Sequence, residues 1–199
     1  EEPFLLVRAL RFRMPLLADK LGLPGIPALD IRNQCSGFLY GLQVADAWIR
    51  CGMYKRVCLV GGEVHSTGLD FTNEGRDVAV LFGDGAAATI LGPTEDTSRC
   101  VVDVQVHSDG SGAKLLWIES PASCEMPRIT HEMIDNRSVW PSMNGPKVFR
   151  WATSKMPEVA EQVLDAVDRR AGRGLGRAGR AARALSAARA PKSAAISQL

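Results

Sequence analysis

Short runs of apolar residues recur between Pro15 and Asp168, separated by polar stretches that contain glycine or proline. Such runs, with turn signals on either side, are typical of strands that are covered on both faces. The runs that predict strands are Ala28–Ile31, Val57–Val60, Val78–Phe82 and Ala86–Leu91, and Val101–Val106 alternates between apolar and polar residues. The tight turn Gly83-Asp84-Gly85 predicts that the third and fourth runs form a hairpin.

Three segments have the longer periodicity of helices. Pro15–Leu21 is followed by a glycine, which is typical of a helix end, and Ser36–Arg50 ends before Gly52. Apolar residues surround most of the circumference of the second segment, which predicts a buried helix. Val148–Val167 is amphipathic, and Pro157 near its middle predicts a kink or a break between two helices. Strands that alternate with buried helices indicate a layered α/β architecture.

The two ends of the chain differ from this middle domain, which spans residues 15–168. Residues 1–14 place arginines between apolar residues without a turn or cap signal, and their pattern predicts no element. Residues 169–199 are mostly Ala, Arg, Gly and Ser, which predicts a disordered or loosely helical tail. The tail holds eight of the 24 basic residues and no acidic one, which leaves residues 1–168 with 16 basic and 22 acidic side chains, a net charge of −6.

The composition narrows the class of protein. Apolar residues make up 46% and charged residues 23% of the 199 positions, which excludes a collagen-like or wholly disordered chain. No apolar run approaches the roughly 18 residues of a membrane span, and the first residues are too briefly apolar for a signal peptide. The five cysteines are an odd number without a C-x-x-C pair, which argues against a disulfide framework and a zinc site. We therefore expect a cytoplasmic protein without a metal or a cofactor.

Cys35 is the candidate for chemistry, because it lies where a predicted strand ends and the predicted buried helix begins. Free backbone N–H groups and the positive end of the helix dipole favour a thiolate there, and the same groups can hold an oxyanion on a thioester carbonyl. Gly37 leaves room for a ligand near the backbone. A buried structural cysteine is the alternative. The remaining cysteines lack this setting and are interpreted as packing or surface residues: Cys51, Cys58, Cys100 and Cys124.

Four sequence blocks in the same order resemble the β-ketoacyl-acyl-carrier-protein synthase III family, a condensing branch of the thiolase-like superfamily. The blocks are Asp30–Tyr40 (DIRNQCSGFLY), Val57–Ser66 (VCLVGGEVHS), Arg76–Ala88 (RDVAVLFGDGAAA) and Met143–Phe149 (MNGPKVF). Each block alone is a weak signal, whereas four in order with the cysteine at the strand–helix corner are specific. The resemblance covers roughly residues 15–167, about three quarters of the chain.

The resemblance implies a thiolase-like layered α/β fold of the αβαβα type, of which this chain holds mainly the N-terminal half and the start of the C-terminal half. It implies that Cys35 takes an acyl group from acyl-CoA as a thioester, which the carbanion of malonyl-acyl-carrier protein then attacks. Arg76 matches a family arginine near the CoA phosphates, with a solvated loop arginine as the alternative. Gly145 and Phe149 match positions that line the pantetheine and acyl channel, although Phe149 alone also fits core packing. A homodimer is implied, and Gly83–Gly85 is interpreted as structural.

The sequence departs from the family pattern in its second half and at both ends. The family completes its site with a histidine in an H-Q-A-N type motif and an asparagine in an N-x-G-N-T type motif, and neither motif occurs here. His65, His107 and His131 lack that setting and are interpreted as structural or surface residues. We expect a truncated domain with unrelated sequence at both ends, and a shifted reading frame explains the acid-free tail. One side of the helix Ser36–Arg50 is then expected to be an exposed apolar patch.

Other classes of function fit the sequence less well. A non-catalytic remnant of the same family is the main alternative. A nucleic-acid or acidic-partner binder is weaker, because the basic tail has no aromatic residue and the domain is acidic. Gly174–Gly179 fits G-x-G-x-x-G, but no strand precedes it and no acid follows it, which excludes a dinucleotide site. No G-x-S-x-G motif of a serine hydrolase is present.

The missing histidine and asparagine predict that residues 1–199 form at most a stoichiometric acyl-enzyme and no multiple-turnover condensation product. Losing a preorganised donor of this kind costs on the order of a hundredfold to a thousandfold each, because it stabilises the carbanion where it forms. The measurement is 3-oxoacyl product from labelled acyl-CoA and malonyl-acyl-carrier protein, with Cys35→Ala as the control. Steady product formation that disappears in the control variant would contradict this prediction.

Overall fold

The structure is a computed structural model that describes residues 4–9 and 14–171. Its strands are β1 (Phe4–Ala9), β2 (Ala28–Ile31), β3 (Arg56–Glu63), β4 (Gly85–Leu91), β5 (Leu116–Trp117) and β6 (Ser142–Met143). Its α-helices are α1 (Met14–Lys20), α2 (Gly37–Arg50), α3 (Arg76–Ala79), α4 (His131–Asp135) and α5 (Gly145–Ala171). The chain divides into two units after Gly145, and the first unit holds both sheets.

Four strands form the main sheet in the order β2-β1-β3-β4. Strand β1 is parallel to both β2 and β3, whereas β4 pairs with β3 in the antiparallel direction. Ile31, Ala9 and Gly61 lie in one row across the three parallel strands. The carboxyl ends of these strands therefore meet at the same edge of the sheet, and the segments that follow β2 and β3 leave from that edge.

The central position of β1 is not predicted by the sequence pattern of residues 1–14. Its partners are β2 and β3, which come about 20 and 50 residues later in the chain. Because such pairing is non-local, no turn signal beside the strand announces it. Residues 4–9 thus belong to the sheet that positions the candidate cysteine.

The core of the sheet lies between β3 and α2. Ala45, Val57 and Leu59 are fully buried there. Partly buried apolar side chains surround them: Ile31, Leu42, Trp48, Ile49, Tyr54 and Leu91. A second cluster contains Met14 and Ala18 on α1. The predicted strands at 28–31, 57–60 and 86–91 and the predicted helix at 15–21 are confirmed, with shifts of a few residues at their ends.

Helix α2 is buried on one face, which corrects the prediction of a helix that is covered all round. Gly37, Gly41 and Ala45 are buried and are spaced at four-residue intervals, so that small residues line the side that approaches the sheet. Phe38 and Leu39 are 40% and 47% exposed. The expectation of exposed apolar side chains on this helix is therefore met.

The prediction of a strand at Val78–Phe82 is wrong. The segment begins within α3 and continues into a turn, in which the N–H of Leu81 donates to the Val78 carbonyl at 3.0 Å. The predicted hairpin is wrong as well, because β4 pairs along its whole length with β3. A five-residue apolar run does not distinguish a strand from a helical turn, and β4 pairs with β3 rather than with this segment.

The segment 101–106 forms no strand and instead runs beside α2 in the opposite direction. The side chains of Arg50, Gln43 and Tyr40 donate to the carbonyls of residues 101, 104 and 107 at 3.0, 3.4 and 3.4 Å. Two carbonyls of the segment, those of Val101 and Val104, thus accept hydrogen bonds from side chains of α2 in place of a strand partner.

The second unit contains α5, which continues through Pro157 without interruption. A proline inside a helix removes one backbone hydrogen bond and leaves the others in place, and the predicted break at this residue is wrong. Among the described residues, no helix is long and apolar enough to cross a membrane. The predicted disordered tail lies outside the described residues beyond residue 171.

Truncation of Leu59 is predicted to destabilise the fold strongly. Leu59→Ala removes a fully buried side chain between β3 and α2 and should cost about 2–5 kcal/mol of unfolding free energy, because a cavity remains. The matched control is Ile90→Ala on β4, whose side chain is 68% exposed and whose loss should cost about 0.5 kcal/mol. Denaturant unfolding measures both values, and equal losses in the two variants would refute the assigned core.

Candidate functional site

Cys35 lies in a short 3-10 helix, Gln34–Ser36, which connects β2 to α2. Gln34 has φ +38°, a left-handed conformation that is uncommon for a residue with a side chain and that turns the chain sharply before the cysteine. Cys35 is exposed, which excludes the alternative of a buried structural cysteine. The corner therefore presents the thiol to solvent.

The first turn of α2 keeps its backbone N–H groups free of side-chain caps. Neither Asn33 nor Ser36 accepts a capping hydrogen bond, and the Ser36 hydroxyl instead donates to the Asn33 carbonyl at 3.1 Å. Uncapped N–H groups at a helix start carry a partial positive charge that favours an anion. The start of α2 directly after Cys35 is therefore without a side-chain cap.

The loop after β3 leaves the same sheet edge as the loop that carries Cys35. Cys35 follows Ile31 by four residues, and His65 follows Gly61 by four, while Ile31 and Gly61 lie in one row of the sheet. A methyl group on Gly61 would lie 3.9 Å from the ring of Phe38, so the first turn of α2 rests over the end of β3. The loop that carries Cys35 and the loop that carries His65 therefore leave the same edge of the main sheet.

Asp84 fixes the loop after β3. Its carboxylate accepts the backbone N–H of His65 at 2.6 Å, the backbone N–H of Ser66 at 2.8 Å and the Ser66 hydroxyl at 2.6 Å. The Ser66 hydroxyl and then the Ser66 backbone N–H lower the pKa of this carboxyl below its ordinary value, since they stabilise the charged form. The sequence singles out Gly83–Gly85 as a structural turn but does not show which loop it holds.

Glu63 and His65 form a hydrogen-bonded pair at this edge. His65 Nε2 lies 2.6 Å from Glu63 Oε2, and the side chains are 31% and 35% exposed. The His65 ring also lies 5.2 Å from the ring of Phe82. The sequence predicts a structural or surface histidine at position 65, but it does not predict the contact with Glu63. The only sequence signal for it is a Glu-x-His spacing directly after a predicted strand.

Arg76 is the first residue of α3, and its side chain is 75% exposed. Its Nε lies 3.7 Å from Asp77 Oδ1, which partly offsets its charge. Gly75 precedes it and packs against Asp70, since a methyl group there would lie 2.6 Å from the Asp70 Cβ. The close approach requires glycine and fixes where α3 begins.

A cavity of about 370 Å³ lies between the α3 region and strands β5 and β6. Its lining includes Trp117, Trp140 and Met143, together with the four carboxylates Asp70, Glu74, Asp77 and Glu119 and the guanidinium of Arg137. The buried Asp70 carboxylate pairs with Arg137 and accepts the Thr72 N–H at 2.9 Å. Because carboxylates outnumber the cation, the cavity repels phosphate.

Gly145 and Phe149 lie at the start of α5. A methyl group on Gly145 would lie 3.7 Å from Met143 Cε, an ordinary contact distance. Phe149 belongs to the second unit and is 69% exposed, so it is not a core residue. The structure therefore brings the loops of Cys35 and His65 to one edge of the main sheet. It places Gly145 beside Met143, which lines the cavity.

The other cysteines are free as well, and Cys51, Cys100 and Cys124 are exposed. Cys58 lies half-buried on β3, and burial raises the pKa of its thiol. Exposure alone therefore does not single out Cys35. Cys35 differs from the other cysteines because it lies at the strand–helix corner, directly before the uncapped start of α2.

Solved structures with this arrangement define the class of protein. The chain is similar to 3-oxoacyl-(acyl-carrier-protein) synthase III from Aquifex aeolicus (TM-score 0.66, 29% identity, 83% of this chain and 49% of that one). It is also similar to the Pseudomonas aeruginosa synthase III (TM-score 0.68, 28% identity, 83% of this chain and 50% of that one). The fold is thus the thiolase-like layered fold of condensing enzymes, in part.

Comparison of the amino-acid sequence with known proteins shows which family the chain resembles. Residues 29–110 match the family described as 3-oxoacyl-(acyl-carrier-protein) synthase III. The synthase III of Koribacter versatilis is 36% identical over 150 residues, which cover 75% of this chain and 44% of that protein. The synthase III of Chlorobium phaeobacteroides is 38% identical over 138 residues, which cover 69% of this chain and 41% of that protein. The chain is similar to the 3-oxoacyl-(acyl-carrier-protein) synthase III family and spans less than half the length of these curated relatives.

Replacing Asp84 is predicted to make thermal stability depend on pH. The pKa of Asp84 is lowered in the folded state, so its hydrogen bonds stabilise the fold above the ordinary value of 3.8 and lose this contribution as the pH falls through the folded pKa. Asp84→Asn should therefore lower the Tm at neutral pH, and the difference from wild type should shrink below pH 3.8. Thermal melts followed by circular dichroism measure both effects.

The control for this experiment is Asp77→Asn, whose side chain is 90% exposed and pairs only with the neighbouring Arg76 among the contacts described. We expect its Tm to follow wild type at neutral pH. An Asp84→Asn difference that persists unchanged at low pH would show that the charge of the carboxylate is not what holds the loop.

Proposed function

We propose that this chain is the acyl-accepting part of a 3-oxoacyl-(acyl-carrier-protein) synthase of the type III class, which acts in fatty acid biosynthesis. The observation that carries the proposal is the exposed Cys35 at the sharp turn in front of α2. A relative with this name is 36% identical over 150 residues, which cover 75% of this chain. The proposed reaction is a decarboxylative Claisen condensation.

In the first step, the Cys35 thiolate attacks the carbonyl carbon of acyl-CoA. The new C–S bond to Cys35 forms as the C–S bond to CoA breaks, and CoA leaves as a thiolate that takes up a proton. The oxyanion of the tetrahedral intermediate is stabilised by the uncapped N–H groups at the start of α2.

In the second step, malonyl-acyl-carrier protein loses carbon dioxide, and the resulting carbanion attacks the thioester on Cys35. A new C–C bond forms, the C–S bond to Cys35 breaks, and the thiolate is regenerated. Acyl-CoA and malonyl-acyl-carrier protein are therefore the proposed partners of the site. Self-acylation needs only the corner around Cys35, whereas condensation also needs groups that stabilise the carbanion.

Arg76 is proposed to bind the phosphates of CoA at the protein surface. Its guanidinium is 75% exposed and fits a phosphate better than the neighbouring cavity does, since the cavity is lined with carboxylates. Gly145 and Phe149 are proposed to line the path of the pantetheine and the acyl chain. The exposure of Phe149 and the small size of Gly145 are consistent with this role.

We also propose a homodimer that forms along β4. This strand lies at the edge of the main sheet, contains no charged residue and exposes most of its length, including Ile90 at 68%. An uncharged edge strand is a template for pairing, and antiparallel pairing with a second copy gives a closed two-fold assembly. A cytoplasmic location is proposed from the five free cysteines, which are typical of a reducing compartment.

Incubation with acyl-CoA is predicted to place one acyl group on Cys35. Mass spectrometry of the intact chain and of its peptides should show a single acyl adduct at Cys35, because this exposed cysteine lies directly before the uncapped start of α2. Cys35→Ala should abolish the adduct, whereas the control Cys51→Ala, which also removes an exposed thiol, should retain it. Adducts distributed equally over the exposed cysteines would refute the proposal.

A further inference from the structure

A polar pair stands at the sheet edge where the proposed acyl group is carried. Glu63 ends β3, and His65 follows it by two residues. Cys35 and His65 each lie four residues beyond one row that crosses β2, β1 and β3. Two strand spacings separate the starts of their loops, which is roughly 10 Å. An acyl chain that extends from the Cys35 sulfur toward β3 therefore runs toward the loop that carries this pair.

The His65 ring presents one polar atom that the pair itself does not use. Nε2 lies 2.6 Å from the Glu63 carboxylate, which leaves Nδ1 as the second hydrogen-bonding atom of the ring. Neutral imidazole that donates through Nε2 accepts at Nδ1, and protonated imidazole donates at both nitrogens. The ring lies against Phe82 at 5.2 Å and a tilt of 38°, so the polar atom stands beside an apolar surface.

The pair is held in place from a separate segment of the chain. Asp84 accepts the backbone N–H groups of His65 and Ser66 at 2.6 and 2.8 Å. Glu63 is itself fixed by its register opposite Gly85 in β4. A polar group whose backbone is anchored in this way has little entropy to lose on binding, and it discriminates between ligands more strongly than a mobile one.

We propose that the Glu63–His65 pair determines acyl specificity and selects an acyl group that carries a hydroxyl over a plain hydrocarbon chain of the same length. The inference rests on the proposed function, in which Cys35 carries the acyl group. A hydrocarbon chain packed on His65 would remove water from the imidazole without replacing its hydrogen bond, whereas a hydroxyl restores that bond. His65 is therefore a specificity-determining residue that contacts the substrate.

The test compares two acyl-CoA probes, 3-hydroxybutyryl-CoA and butyryl-CoA, which differ by one hydroxyl group. The measured quantity is the rate of thioester formation on Cys35, followed by mass spectrometry of the full chain. One hydrogen bond to the anchored ring should make the hydroxylated probe on the order of fivefold to tenfold faster. In His65→Leu this preference should disappear, so that the ratio of the two rates approaches one.

Two further variants keep the result interpretable. His131→Leu is the matched control, because it removes the exposed histidine at the start of α4 and should leave the preference unchanged. Glu63→Gln retains the size of the partner of His65 but not its charge, and it should reduce the preference even if His65→Leu does not fold. Circular dichroism confirms folding of each variant.

The outcomes separate the inference from the function on which it rests. Equal rates for the two probes in wild type, or a preference that survives both His65→Leu and Glu63→Gln, overturns the role of the pair while acylation of Cys35 upholds the proposed function. Absence of any adduct on Cys35 with either probe overturns the proposed function and the inference together.

Discussion

The parallel pairing of β1 with β2 and β3 is the constraint on which the site depends. It aligns the carboxyl ends of two strands that lie about 30 residues apart in the chain, and it thereby brings the loops that carry Cys35 and His65 to one edge. Parallel strands require connections that leave and return across the sheet, and here α2 makes that connection between β2 and β3. The helix start is consequently fixed directly after the cysteine.

The edge that carries these loops is also supported by β4, which pairs with β3 on the side away from β1. β4 pairs with β3 over seven positions, and Asp84, the residue before β4, reaches the loop after β3 with three hydrogen bonds. The loop that carries His65 is therefore held at both its strand end and its backbone N–H groups. The Asp84 carboxylate can hold this loop at the surface because its hydrogen-bond donors are backbone N–H and hydroxyl groups, which do not titrate.

Local sequence signals predict the parts of the fold whose partners are near in the chain. The strand 28–31, the helix 36–50 and the cysteine at their junction follow from apolar runs, turn residues and helix periodicity. The run 78–82 and the alternating segment 101–106 carry equally clear signals and yet form no strands. Their outcome depended on which segment already paired with β4 and on which side chains of α2 reached the carbonyls of the second segment.

The sequence by itself determined the resemblance to a family, the identity of the candidate nucleophile and its place at a strand–helix corner, because these depend on residue type and short spacing. Only the tertiary structure decided that residues 4–9 form the central strand, that Asp84 anchors His65, and that Glu63 and His65 stand at the edge shared with Cys35. The physical reason is distance along the chain. Sheet pairing and side-chain hydrogen bonds join residues that are 20 to 50 positions apart, and no local pattern records which partners prevail.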